Sequence, residues 1–421
     1  MFYDLYQKDN KICRIKLDEN YDFLKISEVY DSKRIPLGTN IAKYDFFNSE
    51  IDNSKFKTWW KSRFIPTDRQ YLNKVFEKLK IQSPDELVSK THCASLSDQY
   101  WTKKTEDNST WKDINFYQND FDDSVGTVLL LNSNKNFSEK SWESPDFTTD
   151  GQLPKKWLIE GNKRFLIKGC SSILQQEPFN EWLASEICEK LNITHVKYDV
   201  LDSTTTKDEK CYFSKCLNFT DENTEFVPAY FVINSFKKKN NESDYQFFLR
   251  CSKLLNIQNS EQELTKMLFV DFLMANQDRH YRNFGFLRNS QTLEWKSLAP
   301  VFDTERSMFI SKSIVKYYAP IDLQAKPFKD NHAEQFNLLS NEILKTLPLE
   351  ELNNVSKRFG QLLSQNVFFT KDRINSLEEY LSKRINLALN MIEKNQKLKI
   401  TKSRHQREID RFNSLNLIVI N

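Results

Sequence analysis

The sequence predicts an α+β fold, with hairpin strands in the middle of the chain and helices toward its C-terminal end. Three observations carry this expectation. Three of the seven glycines, Gly151, Gly161 and Gly169, fall within nineteen residues, among strand-forming runs. Residues 264–276 (LTKMLFVDFLMAN) read as a largely apolar, amphipathic helix. Residues 347–369 and 372–395 carry apolar side chains at spacings of three and four, among them Ile374, Leu377, Tyr380, Leu381 and Ile385, the period of a helix with one buried face.

The first ~110 residues are the least informative. Residues 40–64 are rich in Phe and Trp and end in TWWKSRF, and a helix is expected over roughly 67–80. Trp59, Trp60, Trp101 and Trp111 read as packing residues; stacking on a ligand is the rarer use. A small N-terminal domain accounts for this stretch.

The middle of the chain reads TTDGQLPKKWLIEGNKRFLIKG. A strand over 157–159, a tight turn at Glu160-Gly161-Asn162 and a returning strand over 164–168 form a hairpin, and Gly-Asn supplies the positive φ such turns need. The polar loop before it, Thr148 to Gly151, leads into Lys155 and Lys156. Backbone N–H groups in such a loop can cradle phosphate, although it is neither GxGxxG nor a Walker A sequence. Next comes EPFNEWLASEICEKLNI. Pro178 suits a first helical turn, and Phe179, Leu183, Ala184, Ile187 and Leu191 share a face that Glu181 and Glu186 flank. Lys168 closes the returning strand. If buried it needs an anion to stay charged; alone it reads as an exposed strand-end lysine. A further strand is expected over 211–215.

The chemistry concentrates in ANQDRHYRNFGF, residues 275–286, at the end of the apolar helix. Asp278 and Asn283 are separated by four residues. Phosphoryl-transfer enzymes use this spacing, with the Asp accepting a hydroxyl proton and the Asn binding a metal ion. FGFLRN and TLEWKSL read as two short strands, whose hairpin would return Asp303, in LAPVFD, toward Asn283 as a second metal ligand. Turn and cap chemistry explains Asp and Asn singly; it does not explain Lys168, a Glu-bearing helix, Asp278, Asn283 and Asp303 in this order.

Composition narrows the class. Net charge is +3, so direct DNA binding is not expected, since dedicated binders are strongly basic. Seven cysteines without a CxxC pair and five histidines argue against zinc and a disulfide framework, and fit a reducing cytosol, hence a cytoplasmic protein. The N-terminal segment lacks an apolar signal core, and no run approaches the ~20 apolar residues of a membrane span.

The stretches DFTTDGQLPKKWLI, RFLIKG, PFNEWLASEICEKLNI, DFLMANQDRHYRNFGF and LAPVFD together resemble the HipA-like serine/threonine kinase family, from about residue 145 to 310 and more loosely toward 390. The resemblance implies a bilobal protein-kinase-like fold with a helical C-lobe, binding ATP and Mg²⁺. It divides the chain into an accessory region (1–125), an N-lobe (126–225), a C-lobe (226–395) and a basic tail (396–421). It makes Asp278 the catalytic base, Asn283 and Asp303 the metal ligands, Lys168 the phosphate-contacting lysine and Glu181 its helix partner, although helical geometry alone favours Glu186. It places Gly151, Gln152, Lys155 and Lys156 in the phosphate loop, where the family can carry an autophosphorylated hydroxyl; Thr148 and Thr149 stand nearby. It puts the adenine-binding hinge at Cys216, Leu217 and Asn218. A protein substrate with a Ser or Thr acceptor and a small helix-turn-helix antitoxin are the partners it suggests.

Other features leave alternatives. The triplet Asp278-Arg279-His280 is also similar to the catalytic loop of phosphatidylinositol-type kinases, so a lipid or small-molecule acceptor is a second reading, and a catalytically silent scaffold a third. His280 can stabilise the transferred phosphoryl group or simply shape the loop. Arg279 can hold a phosphate, though a solvated arginine is the commoner case. Residues 394–411 hold seven Lys/Arg against two acids, which usually makes a solvated face, and the closing SLNLIVIN needs a sheet or core to cover it.

Overall fold

The computed structural model describes residues 1–41, 50–204, 210–312 and 319–394. The chain forms two compact units that interleave along the sequence. One comprises Met1–Pro178, His195–Ser260 and Tyr281–Phe302; the other comprises Phe179–Thr194, Glu261–His280 and the described part of 303–421.

The first unit carries three antiparallel sheets of three or four strands, besides the two-stranded pair Asn40–Ile41 with Glu50–Ile51. The first has the spatial order Phe23–Val29, Asn10–Leu17, Phe2–Gln7, Tyr100–Lys104. The second runs Lys155–Glu160, Lys163–Lys168, Lys210–Leu217, Tyr198–Thr204. Its hairpin turns at Gly161, whose φ of +58° is the left-handed conformation glycine adopts without strain. The third is Thr224–Pro228, Gly285–Asn289, Trp295–Leu298. Gly285 faces Pro228 in register, and a Cβ there would run into the Val227 carbonyl oxygen.

The aromatic side chains of the N-terminal region are core. Trp59, Trp60, Trp101 and Trp111 are all buried, and Trp101, Trp111 and Phe116 form one cluster with Trp157 of the second sheet. The third sheet is tied to the first by buried polar groups. Gln7 donates to Glu225 at 2.9 Å, and Arg288 pairs with the same carboxylate at 2.5 Å. The expected helix over 67–80 forms only as Leu72–Leu79, because residues 65–71 are drawn into turns and docked by backbone bonds such as Ile65 N–H to the Phe147 carbonyl at 2.8 Å.

The second unit is helical. Ser260–Met274 buries Leu264, Met267, Leu268, Phe269, Val270, Phe272 and Leu273, while Glu261 in its first turn is exposed. Lys371–Glu393 buries Leu377, Tyr380, Leu381, Arg384, Ile385 and Ala388, the expected stripe. Arg384 lies over the Phe272 ring at 4.2 Å and donates through Nε to the Phe272 carbonyl at 2.7 Å. The single helix expected over 347–369 is instead a 3₁₀ segment, Leu349–Asn354, followed by the α-helix Val355–Leu363. Asn354 sits at the junction as N-cap, outside helical geometry. The basic tail and SLNLIVIN lie outside the described residues. Among the described residues no helix is long and apolar enough to cross a membrane.

Candidate active site

The Asp278 loop is set by the end of the Ser260–Met274 helix. Ala275 takes a left-handed φ of +52°; its N–H bonds the Phe272 carbonyl at 3.2 Å and the Asn276 N–H bonds the Asp271 carbonyl at 2.9 Å. These two bonds make a Schellman stop. The stop directs Asn276 back over the helix, where its amide donates to the Asp271 carboxylate at 2.7 Å and its side-chain oxygen accepts the Asp278 N–H at 3.1 Å.

Arg279 is neither solvated nor open to a phosphate. It is fully buried and pairs bidentately with Asp271, 2.9 Å from each nitrogen to its oxygen. Burial pulls the guanidinium down, but Asp271, with further negative charge from Asp303 and Glu181, leaves it raised above the usual arginine value. The loop is thus pinned on both sides of Asp278. Asp271 escaped the sequence reading, although an Asp inside an apolar helix was the signal, since buried carboxylates need partners. Lys326, also missed, donates to the Asp278 Oδ1 at 2.8 Å, with both side chains partly exposed. Its own backbone is held by Gln335, whose amide donates to the Lys326 carbonyl at 2.8 Å. A lone lysine 48 residues downstream offers no sequence signal. His280 closes the loop with its N–H on the Asp278 carbonyl at 2.8 Å.

Glu181, Asp303 and Glu305 each place a carboxylate oxygen within 4.8 Å of the others. Three elements converge to do this. Thr304 donates its N–H and its hydroxyl to the Glu181 carboxylate at 2.9 and 2.7 Å. Asn180, beside it on the helix, donates to the Glu305 and Ser307 carbonyls at 2.8 and 2.9 Å. Met308 N–H reaches the Met274 carbonyl at 3.0 Å, fastening this segment to the base of the Asp278 loop. Asp303 itself has φ +58°, a conformation for which Asp is better suited than most residues and one common at functional sites. Three oxygen donors this close suit a hard divalent cation. Glu186 points to other work, pairing with Arg358 at 2.6 Å. Glu305 was not anticipated, for it sits one residue beyond the DT pair with nothing to mark it.

The first unit carries the remaining residues. Lys155 and Lys168 lie directly opposite one another across the hairpin and both are buried, so Lys168 is not the exposed strand-end lysine it resembles alone. Like charges in a directly opposed pair destabilise a sheet unless an anion answers them. Lys155 Nζ donates to the Asp150 carbonyl at 2.7 Å. Lys156 faces the other way and pairs with Asp123 at 2.6 Å. Gly151 has φ +87°, and a Cβ there would meet Lys155 Nζ. Thr148 and Thr149 are buried: Thr148 donates to the Ala94 carbonyl at 2.8 Å, and Thr149 donates to the Pro145 carbonyl while accepting from Trp157 Nε1, both at 2.9 Å. The strand expected over 211–215 extends through Leu217. Cys216 is buried with Val196 and Tyr198, Leu217 is exposed, and the Asn218 N–H bonds the Arg164 carbonyl at 2.8 Å. Asn283 is buried and, with Gln152, belongs to this unit; Asp278, His280, Glu181 and Asp303 belong to the second.

A model of the HipA-like C-terminal domain matches residues 147–365, just over half of the chain. The chain belongs to the HipA-like family. Its fold is the α+β, kinase-like one. The HipA of Shewanella oneidensis MR-1, from a toxin–antitoxin complex with HipB and operator DNA, aligns over 94% of this chain and 100% of its own, at TM-score 0.55 and 11% identity. That likeness is one of fold. The Helicobacter pylori proinflammatory kinase CtkA aligns over 60% of this chain and 95% of its own, at 17% identity and TM-score 0.44, too low to argue from. No curated protein matches the sequence.

Proposed function

We propose that this HipA-like protein is an ATP- and Mg²⁺-dependent kinase that transfers the γ-phosphoryl group of ATP to a serine or threonine hydroxyl of a protein. The observation that carries the proposal is the braced acidic constellation of the second unit, Asp278 on a pinned loop with Glu181, Asp303 and Glu305 converging beside its base. In this reading Asp278 takes the acceptor proton as the hydroxyl oxygen bonds to phosphorus and the bond to the bridging β-phosphate oxygen breaks, its electron pair leaving with ADP. Asp303 and Asn283 would hold Mg²⁺, with Glu181 and Glu305 adding negative charge. Bound there, Mg²⁺ would offset charge on the transferring group. Lys168 and Lys155 hold the phosphates, with Gly151 and Gln152 in the loop above them; Cys216, Leu217 and Asn218 meet adenine. The pairing of Lys156 with Asp123 gives it a role in holding the strand.

Family membership, and the fold shared with a HipA solved with HipB and operator DNA, support a place as the toxin of a toxin–antitoxin pair with a small helix-turn-helix partner. Acceptor profiling tests the activity. Purified protein is given ATP and Mg²⁺ with a protein extract, phosphatidylinositol vesicles or free sugars. Phosphate on serine or threonine supports the proposal. Phosphate on inositol or a sugar overturns it in favour of a lipid or small-molecule kinase, and ATP binding without any transfer favours a scaffold.

A further inference from the structure

We infer that Arg69, in the N-terminal accessory region, is the positioning residue of the phosphate loop: it holds the loop's carbonyls on one side so that its N–H groups face nucleotide phosphate on the other. The inference rests on the kinase reading above and deepens it.

Arg69 Nε donates to the Gly151 carbonyl at 2.7 Å, and its Nη2 donates to the carbonyls of Thr149 and Asp150 at 2.6 and 3.1 Å. One guanidinium thus gathers three consecutive carbonyls, and Lys155 Nζ shares the middle one. A trans peptide points its N–H opposite to its C=O. The N–H groups of Asp150, Gly151 and Gln152 therefore face away from Arg69, toward a side on which Asp150 and Gln152 are exposed. Successive N–H groups turned to one side form an anion-binding nest.

An anion of this chain already touches that side. The Asp150 carboxylate accepts the Gly151 N–H at 2.7 Å and lies 3.6 Å from the Arg282 guanidinium. Phosphate oxygens would meet the same donors. Arg69 itself is anchored. Its residue is buried, its neighbour Asp68 accepts from Gln152 Nε2 at 2.5 Å, and Ile65 N–H bonds the Phe147 carbonyl at 2.8 Å. Burial lowers the guanidinium to about 10, so it keeps its charge at neutral pH. Two nitrogens along one planar edge, Nε and Nη2, meet the carbonyls, an edge that the point charge of a lysine ammonium does not offer.

The test is titration calorimetry of the full chain with Mg²⁺-ATP and, separately, with adenosine, which lacks phosphates. Wild type is compared with Arg69→Lys and Arg69→Ala, each checked for wild-type circular dichroism. Arg69→Lys keeps the charge and serves if the alanine variant fails to fold. The expected result is a loss of about tenfold or more in ATP affinity with adenosine affinity within about twofold of wild type. Unchanged ATP affinity in Arg69→Lys, or a parallel loss for both ligands, overturns the inference and leaves the kinase reading standing. A wild type that binds ATP no better than adenosine overturns the kinase reading itself, and the inference with it.

Discussion

The Asp271–Arg279 pair offers the sharpest test of how the Asp278 loop is held. Arg279→Met removes the guanidinium and keeps most of the side-chain volume. It leaves the Asp271 carboxylate fully buried with one neutral donor, the Asn276 amide at 2.7 Å. Breaking a buried pair from one side costs about 3–5 kcal/mol, because a charge is stranded. The double variant Arg279→Met, Asp271→Leu removes the stranded carboxylate as well; the Asn276 bond lost with it is worth about 1 kcal/mol. Urea unfolding followed by far-UV circular dichroism measures both, with the m-value as a check that the same surface unfolds. The single variant should lose about 3–5 kcal/mol and the double only about 1–2 kcal/mol. The double should still transfer phosphate poorly, because Asn276 no longer holds the Asp278 N–H in place. A single variant within about 1 kcal/mol of wild type, or a double no more stable than the single, would refute the reasoning.

Three further outcomes follow from the geometry. Asp303→Ala should abolish the gain in ATP affinity that Mg²⁺ confers, as EDTA does in wild type; calorimetry with and without Mg²⁺ reads this directly. Lys326→Ala, which strips the ammonium from Asp278 Oδ1, should lower kcat about 100-fold while KM for ATP stays within about twofold, as expected of a charge acting at the reacting centre. Burial raises the Asp146 carboxyl to about 7, against the Trp157 N–H, Ser144 and the charges of Lys156 and Arg69. A raised carboxyl binds its proton more tightly folded than unfolded. Its contribution is full below the unfolded value near 3.9, declines as pH rises, and is gone above about 7. Stability should therefore fall by about 2 kcal/mol between about pH 5 and pH 7, and Asp146→Asn should flatten that slope in urea melts across the range.

Much of the scaffold was legible because its signals are local. Gly161-Asn162 marks its own turn, the apolar run before Asn276 can only be a buried helix, and the stripe through Leu377, Tyr380 and Ile385 names its inward face. Helix boundaries were less legible. Residues 67–71 fit a helical pattern, yet their backbone turns locally while the Asp68 and Arg69 side chains bond the loop near residue 150, and Asn354 stands at the start of a new helix inside a periodic run. The site divides in the same way. Asp278 and Asp303 carry a recognisable spacing and order. Arg279 reads as a surface residue because its partner Asp271 lies a helix stop away. Lys326, Glu305 and Arg69 reach their targets only through tertiary folding, across 48, 124 and 80 or more residues, and no local pattern encodes such meetings.

The most direct test of the central claim is phosphoryl transfer by wild type beside Asp278→Ala, with labelled ATP and Mg²⁺, the phosphate located by mass spectrometry and ATP affinity measured on the same samples. The account predicts label on serine or threonine in wild type, its loss in Asp278→Ala, and ATP affinity within about twofold between the two, since the base acts on the transition state and not on nucleotide binding. Equal labelling by both proteins would contradict it.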